Sequence, residues 1–312
     1  MIKVSIIVPL FNSESHLEAL VANIAQQTLH DIEVVFVDDH GGDNSIGVAR
    51  ALTEKLDTRI KFTFVETPKN MGPGGARNIG ISCAEGQYVA FLDSDDLLNA
   101  TFCEDLYKTA AKWGADLAFC NIQLRPDRIG RNPKVESGDF TPERRNWFML
   151  RYKSYFTTFI YRKVMIDRYE IRFPNTRSCE DSCFLASALI CAQRVARVDK
   201  PLYIYQQRPD SISKSVNPDR YKDRLSSFDA LVSFARSQEL YGPNRTLIEF
   251  LYVKKALLQS GMEYISFPGK KDRPRLKEMR NHCVGKIGEY RGNQYFRHNI
   301  PLRFLDFVLF GK

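Results

Sequence analysis

Three short runs of strand-forming residues alternate with helical patterns near the start of the chain, and this alternation constrains the fold most strongly. The runs Val4–Pro9, Ile32–Val37 and Lys61–Val65 have the length and composition of buried strands. Between them, apolar residues recur at helical spacing over 17–25 and 45–56. Because a strand, a helix and a further strand form a right-handed crossover unit, this order predicts an α/β fold with a parallel sheet.

Carboxylates follow two strand patterns directly. A pair of aspartates ends the second run, and three aspartates within four positions end a further strand pattern over residues 88–92. These acids are Asp38, Asp39, Asp93, Asp95 and Asp96. Ligands of open α/β sheets bind at the carboxyl ends of the strands, and carboxylates there suit Mg²⁺ or Mn²⁺, which also bind phosphate oxygens. The alternative is a solvated turn before a helix, where aspartate is common.

A glycine-rich turn precedes the third helical pattern. The stretch Asn70–Asn78 contains Gly72, Gly74 and Gly75, and Arg77 lies in the first turns of the helix. Glycines let a backbone approach a ligand closely, and a helix amino terminus with an arginine suits phosphate. The Gly-x-Gly pattern imitates a dinucleotide-binding fingerprint, but arginine stands where that fingerprint needs its third glycine. A simple helix-initiating turn is the alternative for some of these glycines.

The chain changes character near residue 213. Up to that point strand and helix patterns alternate, and one late helix begins at Glu180 and Asp181, a pair that also fits an ordinary amino-terminal cap. From 214 to 312 the patterns are helical and rich in Lys and Arg. The sequence therefore predicts an α/β domain over 1–213 and a basic helical region over 214–312.

Composition narrows the classes of function. The net charge is +8, with 45 Lys and Arg against 37 Asp and Glu, which is compatible with nucleic acid, anionic membrane surfaces or phosphorylated substrates. The seven cysteines show no Cys-x-x-Cys pairs, which favours structural thiols in a reduced compartment. We expect no signal peptide, since a strand pattern begins at once, and no spanning helix, since no apolar run approaches about 20 residues.

The stretch 300–310 combines aliphatic and aromatic residues and is flanked by basic ones. These cations are Arg297, Arg303 and Lys312. Two interpretations stay open at this point. A helix here would pack on the domain, as most apolar helix faces do, or it would lie on a membrane surface, where apolar residues flanked by cations are typical.

Five short motifs occur in order over residues 1–213. They are Val4-Ser5-Ile6-Ile7-Val8-Pro9-x-Phe11-Asn12, Val37-Asp38-Asp39, Asn70-x-Gly72-x-x-x-Ala76-Arg77-Asn78, Phe91-Leu92-Asp93-Ser94-Asp95-Asp96 and Glu180-Asp181. In this order and spacing they resemble the family 2 glycosyltransferases, which have the GT-A fold. The resemblance implies a Rossmann-like mixed sheet flanked by helices, with a helical C-terminal extension here, and an enzyme that takes a sugar from a nucleotide diphosphate donor.

The resemblance also implies which residues bind the donor. Asp39, supported by Asp38, would contact the nucleotide base. Asp95 and Asp93 would bind a divalent metal, Mn²⁺ or Mg²⁺, and Asp93 would also face the ribose or sugar. Other residues would line the base pocket, lie near the nucleotide or close over the diphosphate. They are Pro9, Phe11, Asn12, Asn70, Arg77, Ser94, Arg208, Ser211 and Ser213.

Catalysis is assigned by the same resemblance to Asp181, which matches the family's base, with Glu180 beside it. In an inverting transfer this carboxylate would take the proton of the acceptor hydroxyl, while the metal stabilises the departing diphosphate. One departure concerns the turn after the paired acids. The family has Gly-Ser-x-Asp there, whereas this chain has His40-Gly41-Gly42-Asp43, and the inserted histidine leaves the geometry of the turn open.

The leading hypothesis is an inverting, metal-dependent glycosyltransferase of the hexosyl- or N-acetylhexosaminyltransferase class, with a UDP-sugar favoured as donor. By analogy with bacterial cell-envelope polysaccharide synthesis, the expected acceptor is a glycan or lipid-linked saccharide. The expected location is the cytoplasm, or the inner membrane face through the terminal helix. Nucleic acid is not expected as a partner, because the strand-end acids would repel phosphate without a metal.

Two alternatives from other classes remain. One is a degenerate GT-A protein that binds nucleotide or glycan without turnover. The other is a nucleotidyltransferase, which would show a glycine-rich, basic signature after the first strand, where this chain has Pro9-Leu10-Phe11-Asn12.

Overall fold

The computed structural model describes residues 1–125, 127–153, 155–206, 220–265 and 273–310. It contains two compact units, each made of two stretches of chain. The first comprises Met1–Asn175 and Cys191–Lys214, and the second comprises Thr176–Ile190 and Ser215–Lys312.

Four parallel strands form one half of the sheet in the first unit. They are β1 (Val4–Leu10), β2 (Ile32–Asp38), β3 (Lys61–Glu66) and β4 (Tyr88–Phe91). Their order is β3-β2-β1-β4, and neighbouring strands in this order are parallel. The connecting helices are α1 (Leu17–Ile24), α2 (Ser45–Thr53) and α3 (Gly72–Cys83). Strands β1 and β2 are apolar along most of their length because both of their faces are buried.

The other half of the sheet contains antiparallel pairings. Its strands are β5 (Leu97–Leu98), β6 (Leu117–Arg125), β7 (Arg128–Gly130), β8 (Gly138–Asp139), β9 (Phe159–Arg162) and β10 (Arg194–Ile204). Strand β4 pairs antiparallel with β9, β9 pairs antiparallel with β6, and β6 is parallel to β10. The sheet is therefore mixed, as the resemblance to the GT-A fold implied, and the parallel sheet predicted from the alternation of strands and helices forms its first half.

Further helices flank the sheet of the first unit. They are α4 (Phe102–Trp113), α5 (Pro142–Arg151) and α6 (Lys163–Arg168). Helix α3 packs closely on β1. A Cβ atom added at Gly80 would overlap the side chain of Ile7, so glycine is required for this approach. The packing fixes α3, and with it the glycine-rich turn at its start, against the centre of the sheet.

The second unit is helical in the part that the structure describes. Its helices are α7 (Glu180–Cys191), which ends at the first unit, α8 (Arg220–Ser237), α9 (Tyr241–Tyr252), α10 (Gln259–Ile265), α11 (Arg273–Ile287), α12 (Gln294–Arg297) and α13 (Ile300–Phe310), and a π-helical turn over Val253–Leu258 joins α9 to α10. Phe228, Leu231, Ile248 and Leu257 form part of its core. Among the described residues, no helix combines the length and apolar character needed to cross a membrane.

Candidate functional site

Three neighbouring parallel strands end at the same edge of the sheet. Strand β1 pairs with β2 as far as Leu10 and Asp38, and it pairs with β4 as far as Ile7 and Phe91. The loops after these strands therefore start side by side. They carry six of the residues that the sequence predicted for the site, namely Phe11, Asn12, Asp39, Asp93, Ser94 and Asp95.

Asp39 is buried and joins the loop after β2 to the turn before α3. Its Oδ1 accepts hydrogen bonds from the Thr67 hydroxyl, at 3.0 Å, and from the Met71 backbone N–H, at 2.7 Å. The neighbouring Asp38 accepts a hydrogen bond from the His40 backbone N–H at 3.1 Å. The supporting role of Thr67 was missed from the sequence. Its signal is positional, because Thr67 directly follows β3 and its N–H donates to the Asp38 carbonyl at 2.9 Å.

The inserted His40 lies in the turn directly after Asp39 and is held there by a contact of its ring. His40 adopts a left-handed backbone conformation, with φ of 55°, and its ring hydrogen-bonds the carbonyl of Thr67. Asn12, with φ of 51°, accepts a hydrogen bond from the Gly42 N–H at 2.6 Å. A Cβ at Gly41 would lie 2.6 Å from the Asn12 nitrogen. The loops after β1 and β2 are thus locked together, which answers the question that the insertion left open.

A pair of serine hydroxyls links the loops after β1 and β4. The Oγ atoms of Ser13 and Ser94 lie 2.7 Å apart, and the Ser13 N–H donates to the Ser45 hydroxyl at 2.9 Å. Ser13 was also missed from the sequence. Three further observations concern predicted residues near this edge. Pro9 is partly buried, and Phe11 and Asn70 are exposed.

Arg77 is held in a fixed position on α3. It is 5% exposed, and its Nη2 donates to Oδ1 of Asp93 at 2.7 Å. Its guanidinium carbon lies 4.7 Å from the ring centroid of Phe156 and 5.4 Å from that of Phe173. Asn78 hydrogen-bonds both the N–H and the carbonyl of Phe173, at 2.9 and 2.8 Å. The predicted cation therefore contacts a predicted carboxylate, and it also lies against two neighbouring rings that the sequence did not indicate.

Asp96 joins the loop after β4 to the end of β10. Its two carboxylate oxygens accept hydrogen bonds from the Tyr203 hydroxyl, at 2.7 Å, and from the Gln206 N–H, at 2.8 Å. Burial, followed by the nearby Asp93 carboxylate, raises the pKa of Asp96 to about 8 despite these donors. Asp95 contributes to the same shift. The raised pKa favours a proton on Asp96, which limits the negative charge of this loop, and the two hydrogen bonds of Asp96 anchor the loop.

The two remaining acids of this loop fit a divalent metal. Asp93 and Asp95 are partly exposed, and their oxygens are the hard ligands that Mg²⁺ and Mn²⁺ prefer. Within the described part of the chain, no group of three or more His, Cys, Asp or Glu side chains is arranged to hold a metal ion. Mg²⁺ is commonly held by one or two carboxylates and completed by water and substrate phosphates. The residues therefore fit a metal that binds together with a phosphate-bearing substrate.

Asp181 lies in the second unit, in the first turn of α7. Its Oδ1 accepts a hydrogen bond from the Ser182 N–H at 2.6 Å. The segment before it is attached to α8, because the Ser227 hydroxyl donates to the Ser178 carbonyl at 2.8 Å. The assignment of Asp181 as catalytic base stays a prediction. Three further predicted residues lie outside the described residues, namely Arg208, Ser211 and Ser213.

Comparison with protein families gives a match over the strands that form this site. The model of the family described as Glycosyl transferase family 2 matches residues 5–169. The chain is similar to the uncharacterized glycosyltransferase EpsJ of Bacillus subtilis (strain 168), with 31% identity over 220 residues, 68% of this chain and 63% of EpsJ. It is also similar to the poly(ribitol-phosphate) beta-N-acetylglucosaminyltransferase TarS of Staphylococcus aureus (strain Mu50), with 28% identity over 260 residues, 80% of this chain and 44% of TarS. Each match spans less than two thirds of the relative's length.

Solved structures share the fold. TarS residues 1–349 in complex with UDP-GlcNAc superpose with a TM-score of 0.62 at 24% identity, over 96% of this chain and 94% of that chain. The mannosyltransferase PcManGT from Pyrobaculum calidifontis, in complex with GDP-Man and Mn²⁺, gives a TM-score of 0.54 at 15% identity, over 97% and 84%. At these identities the likeness concerns the fold, and it confirms the GT-A fold with a helical C-terminal region expected from the motifs.

Proposed function

The chain belongs to glycosyl transferase family 2, and from this premise we propose that it transfers a sugar, with inversion, from a nucleotide diphosphate donor to an acceptor hydroxyl. One observation carries the proposal. Buried Asp39 and the partly exposed acids Asp93 and Asp95 belong to adjoining loops at one edge of the sheet, and the fixed cation Arg77 of α3 pairs with Asp93 there. A nucleotide diphosphate needs this set of groups for its base, its sugar and its phosphates.

The base of the donor is recognised by Asp39. Thr67 and Met71 both donate to Oδ1, and the carboxylate has further lone pairs on Oδ2. An imide N–H, as in uracil, is a suitable donor to that oxygen, which favours a UDP-sugar. Phe11, in the loop after β1, is 47% exposed and offers an aromatic surface to the base. The UDP-GlcNAc complex of TarS supports the same donor class.

The loop after β4 binds the diphosphate. Arg77 holds Asp93 in position before any ligand arrives, because the ion pair is buried on the arginine side and the guanidinium lies against two neighbouring rings. Asp95 and Asp93 would hold Mn²⁺ or Mg²⁺ together with the donor phosphates. When bound, the metal supplies positive charge for the departing diphosphate. The Mn²⁺ in the PcManGT complex supports this part of the proposal.

The acceptor hydroxyl is deprotonated by Asp181, the residue that matches the family's base. A carboxylate in this role takes the proton as the oxygen attacks the anomeric carbon, on the face opposite the leaving diphosphate. The acceptor that we propose is a glycan or lipid-linked saccharide of the bacterial cell envelope. The name of TarS, a poly(ribitol-phosphate) beta-N-acetylglucosaminyltransferase, supports a polymer that carries hydroxyl groups. The proposal places the reaction in the cytoplasm.

Isothermal titration of the full chain tests the donor site. UDP, GDP, dTDP and CMP are titrated with and without Mn²⁺ into the wild type, Asp95→Ala and the control Asp57→Ala, an exposed aspartate beyond α2. We expect one nucleotide to bind tightly, only with metal, and equally well to the wild type and the control. Asp95→Ala should lose this binding. Absence of binding by every nucleotide, or metal-dependent binding that survives Asp95→Ala, contradicts the proposal.

Asp181→Asn separates catalysis from binding. The amide has nearly the size of the carboxylate but does not take a proton, so we expect nucleotide binding to be kept while transfer to the acceptor falls by at least about 100-fold. The glutamate beside it gives the control, Glu180→Gln, for which transfer should continue. An Asp181→Asn variant that transfers sugar like the wild type refutes the assignment of the base. A wild type that binds nucleotide and transfers to no acceptor supports the degenerate alternative.

A further inference from the structure

Helix α13 has two opposite faces of different character. Leu302 and Asp306 are buried on one face. The other face consists of apolar side chains at positions i, i+4, i+7 and i+8, which lie together on a helix surface. They are Ile300, Phe304, Phe307 and Val308, which are 76, 64, 59 and 51% exposed. The sequence left open whether this helix packs on the protein or lies on a membrane surface. In the structure one face of α13 packs on the protein, and the opposite, apolar face is exposed.

The buried face fixes the rotation of the helix. The Asp306 carboxylate accepts hydrogen bonds from the Tyr290 hydroxyl, at 2.5 Å, and from Nε of Arg291, at 2.7 Å. Because a buried carboxylate that loses such partners is strongly destabilising, α13 cannot turn its phenylalanines inward without a large cost. The exposed apolar face is therefore a property of the folded unit.

The charge beside this face is positive. Within α13 the charged residues are Arg303, which is exposed, and Asp306, which is buried and paired. Arg297, also exposed, precedes the helix. These arginines and the exposed phenylalanines line an open groove of about 910 Å³. The groove combines an apolar surface with cations, and α13 itself presents no exposed carboxylate.

We propose that this face binds a membrane surface that carries anionic lipid headgroups. The four apolar side chains enter the boundary between headgroups and acyl chains, and Arg297 and Arg303 pair with lipid phosphates. Contiguous exposed apolar patches mark interaction sites, and an apolar helix face flanked by arginines is typical of helices that lie in the membrane interface.

A second copy of the chain is a poorer occupant of this face. Two copies related by a twofold axis would bring identical patches together, so that Arg303 of each copy would approach positive charge on the other. Helix α13 offers no exposed carboxylate to compensate that charge, whereas anionic lipids do. The inference goes beyond the proposed sugar transfer and does not depend on it.

Vesicle co-sedimentation of the full chain tests the proposal. The vesicles consist of phosphatidylcholine, alone or with phosphatidylglycerol. We expect the wild type to bind the anionic vesicles, less tightly as salt increases, and Phe304→Ser/Phe307→Ser to bind at least about tenfold more weakly. Arg297→Gln/Arg303→Gln should also bind more weakly and with less salt dependence. The control is Val164→Ser, a 72% exposed apolar residue of the first unit, which should bind like the wild type.

A spectroscopic readout covers the case of a variant that does not fold. Phe304→Trp places an indole on the face, and its emission should shift to the blue with anionic vesicles, unlike that of the wild type. Wild type that does not bind anionic vesicles overturns the proposal, as does unchanged binding by the folded Phe304→Ser/Phe307→Ser variant. The proposal is also overturned if neither protein binds vesicles and sedimentation velocity shows that the wild type is a dimer and the Phe304→Ser/Phe307→Ser variant a monomer. That result would identify a second copy of the chain as the occupant of this face. None of these measurements requires a sugar donor, so this inference and the proposed function fail separately.

Discussion

The hydroxyl of Tyr203 donates a hydrogen bond to Oδ2 of Asp96 over 2.7 Å, and it lies 3.4 Å from the Asp93 backbone nitrogen, which donates to it. Tyr203 and Asp96 are each 1% exposed. One buried hydroxyl therefore connects the end of β10 to two positions of the acidic loop after β4. The loop owes its shape to a residue more than a hundred positions away in the chain.

Removing this hydroxyl should loosen the acidic loop. In Tyr203→Phe, Asp96 loses one of its two donors in a buried position, and we expect the free energy of unfolding to fall by about 1–3 kcal/mol. Urea titration followed by circular dichroism measures it. The control is Tyr205→Phe, at a partly exposed tyrosine just beyond the strand, with an expected change below about 0.5 kcal/mol. Equal effects of the two variants would contradict the anchoring role.

Two substitutions at Asp39 separate its structural role from its binding role. Asp39→Ala leaves the Met71 N–H without its acceptor and leaves the Thr67 hydroxyl only the Asp38 carbonyl, so the free energy of unfolding should fall by about 1–3 kcal/mol. Asp39→Asn keeps an acceptor oxygen and should cost less than about 1 kcal/mol, yet it loses the charge-assisted contact to the base and should weaken UDP binding at least about tenfold. Calorimetric affinity for Asp39→Asn equal to that of the wild type would refute the base contact.

The same substitution should have opposite effects at two helical glycines. Gly80→Ala forces a methyl group into Ile7 and should lower the free energy of unfolding by about 1–3 kcal/mol. Gly285→Ala, in α11, meets no atom within 4 Å and should raise it by up to about 1 kcal/mol, since alanine favours a helix. Thermal and urea unfolding of the two variants measure the difference. A neutral Gly80→Ala would mean that α3 does not press on β1 as described.

Buried thiols give a prediction about pH. Burial raises the pKa of Cys120, Cys183 and Cys191 from the ordinary value of 9.0 to about 12. The native state thus keeps protons that the unfolded chain releases above pH 9. These thiols should leave the free energy of unfolding unchanged below about pH 8 and lower it as the pH rises from about 9 towards 12. Urea titrations across this range measure the slope.

Thiol labelling checks the same burial directly. At pH 8 the native protein should react rapidly with Ellman's reagent only at the two partly exposed cysteines, Cys83 and Cys179, and fastest at Cys83, because burial raises the pKa of Cys179 to about 11. In guanidinium chloride all seven cysteines should react. Cys83→Ser should remove the fastest phase. Rapid reaction of more than two thiols in the native protein would show that the core is more open than described.

The parallel half of the sheet and the acids at its edge were predictable from the sequence. Each of these strands and helices is a local pattern of about ten residues, and crossover rules then fix how consecutive units assemble. Asp39 and Asp93 follow their strands directly, so their position at the sheet edge follows from the strand assignments alone. The fold family followed from the order and spacing of the motifs.

The antiparallel half and the supporting contacts were not predictable in this way. Tyr203 hydrogen-bonds Asp96, and two rings lie against Arg77. These partners come from segments far along the chain whose local sequence gives no indication of the contact. Which apolar face of α13 is buried was also undecided, because the answer depends on the pairing of Asp306 with Tyr290 and Arg291. Long-range pairing, and not propensity, decides such contacts.

The change of strand direction beside β4 has a consequence for synthesis of the chain. Strand β4 is complete at Phe91, whereas its antiparallel neighbour β9 begins only at Phe159. On the ribosome, the four parallel strands emerge first and pair through local crossovers, while one side of β4 stays a bare, apolar edge until β9 has emerged. An unpaired edge of this kind is a template for association with other nascent chains. We therefore expect chaperone protection to matter for this protein in the interval between the emergence of Phe91 and that of Phe159.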